Sequence, residues 1–119
     1  MKIRARVYHS NQYPHQVLVP TRCSLPAKYI GPRYPYAESV LADSKIQPYV
    51  HDCLVTVTES DKTYRFRVFY KIHAKLRQNR YLLGLRGSMF VMRAGALEHH
   101  SVVNMRERDV ILADFLVKK

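Results

Sequence analysis

Two segments of this sequence alternate basic or aromatic side chains with apolar ones, one near the N-terminus and one in the middle of the chain. Arginine and lysine neutralise phosphates, and an exposed aromatic ring stacks on an unpaired base. The alternation therefore predicts a nucleic-acid-binding surface on one face of a sheet. Its predicted members are Lys2, Arg4, Arg6, Tyr8, Arg65, Arg67, Phe69 and Lys71, with Lys75, Arg77 and Arg80 extending it along the following segment.

The basic residues are concentrated in two parts of the chain, which strengthens this interpretation. The net charge is +11 and the sequence pI is about 10.0. Residues 1–37 carry six basic and no acidic residues, and residues 62–97 carry nine and none, whereas residues 38–61 hold five acids and one lysine. Such a charge attracts polyanions. The expected partner is RNA or DNA, and an acidic protein is the alternative, because charge alone does not separate the two.

A hairpin over residues 50–72 is the element expected to position most of these side chains. Both of its strands are rich in β-branched and aromatic residues, and a polar stretch of four residues separates them. Pairing Thr58 with Thr63 places the apolar residues on one face and the polar and basic ones on the other. We expect Phe66 and the rest of the apolar face to lie in the core, and Arg65 with the rest of the basic face to meet solvent.

The whole chain, residues 1–119, is expected to form a single mainly β domain, with α+β as the alternative class. Six or seven antiparallel strands with one or two short helices suit a small barrel-like fold or a sheet packed on a helix. Besides the hairpin, strands are predicted at residues 2–8, 16–19, 88–93 and 101–105.

The segments between these strands are less regular. Residues 21–36 are predicted to form a surface loop rich in proline and tyrosine. Apolar spacing predicts an amphipathic helix at residues 36–46, and composition favours a helix over a strand at residues 73–81. Residues 110–117 are predicted to be the last strand of a hairpin because of their β-branched content. A core helix capped by Asp109 is the alternative for this last segment.

The cysteines and the hydropathy bear on the location of the protein. Cys23 and Cys53 lie 30 positions apart without a paired C-x-x-C motif. Both are expected to be free thiols in a reducing compartment, with Cys53 packed in the core. No segment approaches the ~20 apolar residues needed to cross a bilayer, and the first residues lack the apolar core of a signal peptide. We expect an intracellular protein, in the cytoplasm or nucleus, without a membrane partner.

Four tyrosines beside prolines form a second candidate binding surface. They would stack on bases or anchor a protein partner, although a tyrosine more often packs its ring under a loop and keeps its hydroxyl in water. These residues are Tyr13, Tyr29, Tyr34 and Tyr36.

Histidines and carboxylates would support catalysis only where the fold brings them together. Glu98, His99 and His100 suggest a metal site, but adjacent side chains in a strand point to opposite faces. The sequence has neither an H-E-x-x-H motif nor paired cysteines. His51 is expected in the core beside Tyr70. We therefore predict no metal, no cofactor and no catalytic residue.

These observations favour a small basic nucleic-acid-binding module without catalysis. The first alternative is a protein-interaction or assembly subunit, whose positive surface binds an acidic partner or whose edge strands pair with another copy of the chain. The second alternative is a small nuclease that combines a histidine with Asp114 or Glu98. The residue patterns do not distinguish RNA from DNA or single strands from duplex.

Overall fold

A computed structural model describes residues 2–9, 13–23, 33–36, 40–41, 50–71, 79, 87–95 and 101–117 of the protein. In chain order they form β1 (Lys2–Tyr8), β2 (His15–Cys23), β3 (Arg33–Pro35), β4 (Val50–Glu59), β5 (Lys62–Lys71), β6 (Met89–Ala94), β7 (Val102–Val103) and α1 (Glu107–Val117). The predicted class is confirmed: the described residues are mostly antiparallel strands with one short helix.

Five of the strands, β1, β2, β3, β7 and β6, form a closed antiparallel barrel. Closure depends on β1, which pairs with β2 over residues 2–7 and with β6 over residues 6–8. β5 continues the sheet from β6, and β4 lies outside β5 as the last described strand. In the described part of the chain, no helix is long and apolar enough to cross a bilayer.

Buried apolar side chains form two clusters on the two sides of this sheet. The cluster inside the barrel contains Ile3, Ala5, Val7, Val19, Leu41, Phe69, Phe90, Met92 and Val102. The cluster between the sheet and α1 contains Tyr8, Phe66, Val68, Val91, Met105, Leu112 and Ala113. β5 and β6 contribute to both clusters, so both faces of these two strands are covered.

The predicted register of the β4–β5 hairpin is confirmed. Thr58 pairs with Thr63, and the pairing continues without interruption along both strands. Ser60 and Asp61 form the turn, with φ angles of 50° and 65°, and type I′ hairpin turns require positive φ at both central positions. The turn is shorter than the predicted four residues because the residues that flank it pair as part of the strands.

The expected burial of the hairpin faces is partly confirmed. Phe66 is buried and Arg65 is exposed, as predicted, but the expectation that the rest of the basic face meets solvent is wrong, and so is the expectation that it shares a surface with the basic residues of β1. Residues directly opposite each other on neighbouring strands share a face of the sheet. Arg6 lies opposite Val91, which lies opposite Val68, so these three residues are on the side of α1. Phe69 belongs to the cluster inside the barrel, and Arg67 shares its face because it lies two residues away on the same strand. The basic residues of β1 and β5 therefore lie on opposite sides of the sheet.

The C-terminal segment is a helix, so the predicted last strand and its hairpin are wrong. Asp109 explains where α1 begins, since its carboxylate accepts the backbone N–H of Arg106 at 2.8 Å, which is one half of a capping box. The first helical bond runs from the Val110 N–H to the Arg106 carbonyl at 3.1 Å. Leu112 and Ala113 are buried against the sheet. This packing overrides the β-propensity of the segment.

Other segments depart from their predicted bounds. β2 continues through Pro20, and β3 follows, so both ends of the predicted loop at residues 21–36 are strands. The middle of that loop lies outside the described residues. Most of the predicted helix at residues 36–46 and the segment at residues 73–81, apart from Asn79, also lie outside them.

Candidate nucleic-acid interface

The fold disperses the predicted basic surface. Lys2, Arg4 and Arg65 are exposed, as expected. Tyr8, Arg67, Phe69 and Lys71 are buried, with 1%, 3%, 4% and 3% of their surface exposed. The expectation that these four face solvent is wrong, because α1 covers the outer face of the sheet and the barrel closes around the inner one. Lys75, Arg77 and Arg80 lie outside the described residues.

The predicted binding residues Arg6 and Tyr8 attach β1 to helix α1. Arg6 donates from Nε and Nη2 to the two carboxylate oxygens of Asp114, at 3.1 and 3.0 Å. The Tyr8 hydroxyl donates to the same carboxylate at 2.6 Å. Burial and the neighbouring Asp114 charge raise the pKa of Tyr8 well above its usual value of 10.0. Both side chains therefore have structural partners, and Asp114 is engaged by them.

On the other face of the sheet, Arg67 and Phe69 also have partners within the protein. The Arg67 guanidinium donates from Nη2 to Oδ2 of Asp52 at 2.7 Å, and the same nitrogen forms an ion pair with Oδ1 at 2.6 Å. Phe69 stacks on Phe90 with ring centroids 4.6 Å apart. These contacts stabilise the barrel interior and remove both residues from any ligand surface.

A cleft of about 510 Å³ opens where the β4–β5 turn approaches the beginning of α1. We call it the basic cleft, and its lining residues are Glu59, Ser60, Lys62, Tyr64, Arg93, Arg106, Arg108 and Asp109. Four of these residues are basic and two are acidic. The cleft therefore carries a net positive formal charge.

Ion pairs within the basic cleft separate structural cations from available ones. Arg93 donates from Nη1 to Asp109 at 3.2 Å, and Arg108 pairs with Glu59. Among the described residues, no acid pairs with the side chain of Lys62 or Arg106, and both side chains are exposed. These two cations are free to bind an anion.

Four separate elements position the basic cleft. Strand β4 places Glu59, β5 places Lys62 and Tyr64, and β6 places Arg93. Asp109 fixes the start of α1 through the Arg106 N–H. The ring of Tyr64 is partly buried against the cluster under α1 and also lines the cleft.

The sequence contains only a weak signal for this cleft. The charged stretches at residues 59–62 and 106–109 are both recognisable as polar turns. They lie far apart in the chain, and the predicted C-terminal hairpin gave no reason to bring them together. The contribution of Arg93 depends on the strand order, which residue patterns do not reveal.

The tyrosines of the proline-rich segment are placed in different settings. Tyr13 and Tyr36 are 77% and 50% exposed. The Arg22 guanidinium lies 5.8 Å from the centroid of the Tyr34 ring, a cation–π contact. Tyr29 lies outside the described residues. The described members therefore do not line the basic cleft.

The predicted buried histidine and cysteine of β4 are exposed. His51 stacks on Tyr70 with ring centroids 5.5 Å apart, so their predicted proximity is correct and the predicted core position is wrong. Cys53 is an exposed free thiol, because β4 is the outermost described strand. The side chain of Cys23 lies outside the described part of the chain.

The remaining candidates for a metal site or for catalysis are at residues 98–100. Glu98, His99 and His100 are outside the described residues. In the part that is described, no group of three or more histidine, cysteine, aspartate or glutamate side chains is arranged to hold a metal ion.

The sequence matches no protein-family model and no curated protein, and the fold matches no solved structure. Small barrels support many unrelated activities, so the fold alone does not indicate a function. The observations that bear on function are the geometry and the charges of the chain itself.

Proposed function

We propose that the protein binds nucleic acid, RNA or DNA, at the basic cleft and carries out no catalysis. The observation that supports this proposal is the pair of exposed cations, Lys62 and Arg106, beside the ring of Tyr64. Two cations next to an aromatic ring suit a phosphate backbone with an adjacent base. The chain's net charge of +11 draws a polyanion toward this site.

The cations already paired within the cleft have a different role. Arg93 and Arg108 neutralise Asp109 and Glu59 and keep those carboxylates from repelling a phosphate. Their own contribution to binding is therefore smaller than that of Lys62. Tyr64 is the residue of the cleft that would contact a base. Because its ring can stack on any base, we expect little preference for nucleotide sequence.

Exposed basic residues elsewhere offer a second location for the contact. Lys2 and Arg4 of β1 are exposed and were predicted from the sequence. They form a matched control for the cleft, because they represent the same number of positive charges on another part of the surface.

The test is fluorescence anisotropy with single-stranded and duplex RNA and DNA near 0.15 M salt. The double variant Lys62→Gln with Arg106→Gln is compared with Lys2→Gln and Arg4→Gln. The cleft variant should flatten the slope of log affinity against log salt by about 1.4 units for single strands, or about 1.8 for duplex. The β1 variant should change the slope by less than half as much.

Tyr64→Leu separates stacking from charge, because leucine preserves the apolar contact of the ring with the cluster under α1. It should weaken single-strand binding by about 1–3 kcal/mol without changing the salt slope. A larger effect of the β1 variant would move the interface to β1. Affinities no tighter than about 10⁻⁴ M for every oligonucleotide would overturn the proposal in favour of an acidic protein partner.

We also propose that the protein acts inside the cell. The exposed free thiol of Cys53 supports this location, because such a thiol persists in a reducing compartment. Labelling with a thiol reagent immediately after cell lysis should find Cys53 reduced. A Cys53 that is blocked until a reductant is added would contradict the proposed location.

A further inference from the structure

Strand β4 forms an open edge of the described sheet. It is the last strand of the order, and it pairs with β5 on one side only among the described strands. Its ten residues pair with β5 in an unbroken register without a bulge. The second edge of a strand carries backbone N–H and C=O groups that can pair with another chain.

The usual features that block such pairing are missing from this strand. Edge strands are commonly protected by lysine, proline, a bulge or a short length. β4 has neither lysine nor proline, and it is as long as any strand described. Its residues Val55, Thr56, Val57 and Thr58 instead have the β-branched side chains that favour sheets.

The charge of β4 also differs from that of the rest of the chain. A net charge of +11 repels other copies, but β4 contains no basic residue apart from His51. Its two acids are neutralised within the same chain, Asp52 by Arg67 and Glu59 by Arg108. The edge of β4 is thus a place where two copies can approach without repulsion between lysines or arginines.

We infer that β4 pairs antiparallel with β4 of a second copy, giving a two-fold symmetric dimer with one continuous sheet. The register that we assign places Val55 opposite the partner's Val55. It then places Cys53 opposite the partner's Val57 and His51 opposite the partner's Glu59. Apolar side chains meet at the centre, and at each end of this face His51 lies opposite a glutamate that is already paired with Arg108.

The hydrogen-bonding pattern of the hairpin allows this register. The residues that flank the two-residue turn exchange backbone hydrogen bonds, and so does every second residue along β4 counted back from Glu59. The alternate residues, among them Asp52, Leu54, Thr56 and Thr58, direct their N–H and C=O groups toward the open edge. In the assigned register Leu54 lies opposite the partner's Thr56, and Asp52 opposite the partner's Thr58, so these outward groups meet.

The first test is sedimentation velocity of the full chain over a range of concentrations, after nuclease treatment and a high-salt wash to remove bridging nucleic acid. Thr58→Glu places a carboxylate opposite the partner's Asp52 and should raise the dimer dissociation constant at least about tenfold. Thr63→Glu is the matched control, because Thr63 is the cross-strand partner of Thr58 on β5 and lies away from the open edge. It should leave the dissociation constant within about twofold.

Two further variants test the register itself. Thr58→Lys introduces the opposite charge at the same position. The dimer dissociation constant of Thr58→Lys should be at least about tenfold lower than that of Thr58→Glu. In a Cys23→Ser background, Val57→Cys places a thiol opposite the partner's Cys53 on the same face, so mild oxidation should give a covalent dimer. Thr56→Cys puts the thiol on the other face and should give none. Thermal unfolding of each variant checks that it is folded.

Three results would overturn the inference. The first is a monomer at every concentration, and the second is a dimer that responds equally to Thr58→Glu and Thr63→Glu. The third is a monomer that binds a synthetic peptide of residues 2–8, a basic extended segment, and loses this binding in Thr58→Lys. That result would assign the edge to a basic peptide from a different partner. None of these measurements depends on nucleic-acid binding, so the dimer can fail while the proposed function stands.

Discussion

The two faces of strand β5 are both buried, but they are buried in different ways. On the face under α1, Phe66 and Val68 are 0% and 7% exposed and lie among apolar side chains. On the barrel face, Phe69 stacks on Phe90, but Arg67 is buried on the same face. The face under α1 is buried by apolar groups alone, whereas the barrel face also contains the buried cation of Arg67, which needs a carboxylate partner.

This difference shows what side-chain alternation can and cannot tell. Alternation correctly groups Arg65, Arg67 and Phe69 on one face, but it does not say which face meets solvent. A buried guanidinium is tolerated when a carboxylate pairs with it, and Asp52 lies 2.6–2.7 Å from Arg67 Nη2. A basic face can therefore be an interior face near a barrel, and an apolar face can be an exterior one beneath a helix.

The largest expected effect is that of Phe66→Ala, on the face under α1. Because Phe66 is 0% exposed, the substitution should lower the free energy of unfolding by about 3–5 kcal/mol through lost transfer energy and the cavity left behind. Urea unfolding followed by circular dichroism measures this. A loss below about 1 kcal/mol would show that α1 does not cover this face in solution.

The barrel face should be less sensitive to removal of its carboxylate. Asp52→Ala deprives buried Arg67 of a charged acceptor and should cost about 1–3 kcal/mol. Asp52→Asn is the matched control, because it keeps an acceptor oxygen for Arg67 and should lose less than Asp52→Ala. Equal unfolding midpoints for wild type and Asp52→Ala would mean that other groups accept hydrogen bonds from Arg67 and fully replace the lost carboxylate.

Much of the hairpin could be predicted from the sequence because its pairing depends on local information. The Thr58–Thr63 register, the bounds of β1 and the existence of β6 all follow from alternation and turn residues. The helical state of α1 could be predicted only as the alternative to a strand, since residues 110–117 are β-branched and apolar on both sides. Leu112 and Ala113 acquire their preference for a helix only by packing on a sheet that the rest of the chain provides.

The candidate site was the least predictable part of the molecule. The general chemistry, cations beside an aromatic ring, is predicted from the alternation of side chains and the clustering of basic residues along the chain. The location is not, because Lys62, Arg93 and Arg106 come from segments that meet only through tertiary structure. The basic residues with the clearest alternation, such as Arg6 and Arg67, were instead used in ion pairs that hold the fold together.

A third prediction concerns the polar attachment of α1 to the outer face of the sheet. Tyr8→Phe removes the 2.6 Å hydrogen bond to Asp114 and should cost about 1 kcal/mol near neutral pH, since Arg6 still binds that carboxylate. The cost should be smaller than that of Phe66→Ala. Chemical unfolding near pH 8 measures it.

The effect of Tyr8 should depend on alkaline pH in a defined direction. In the folded protein the pKa of Tyr8 is raised above its usual value of 10.0 by burial and by Asp114. Above about pH 10 the unfolded chain loses the Tyr8 proton while the folded protein keeps it. The free energy of unfolding of the wild type therefore falls as pH rises, by up to about 1.4 kcal/mol per pH unit. Tyr8→Phe lacks this loss. Its disadvantage should therefore shrink between about pH 8 and about pH 10.5, and a constant difference would contradict the assignment.

The smallest expected effect is that of Arg65→Ala, which lies beside Phe66 on β5 but is exposed. Arg65 is on the same face as Arg67, but it lies nearer the turn, beyond the β5 residues that pair with β6. Removing it should change the free energy of unfolding by about 0.5 kcal/mol or less, as at most surface sites. Because Arg65 does not line the basic cleft, Arg65→Ala should also leave the oligonucleotide affinity closer to wild type than Lys62→Ala does. A destabilisation near that of Asp52→Ala would mean that the barrel interior extends to the turn, and would remove the distinction between buried and exposed cations on this face.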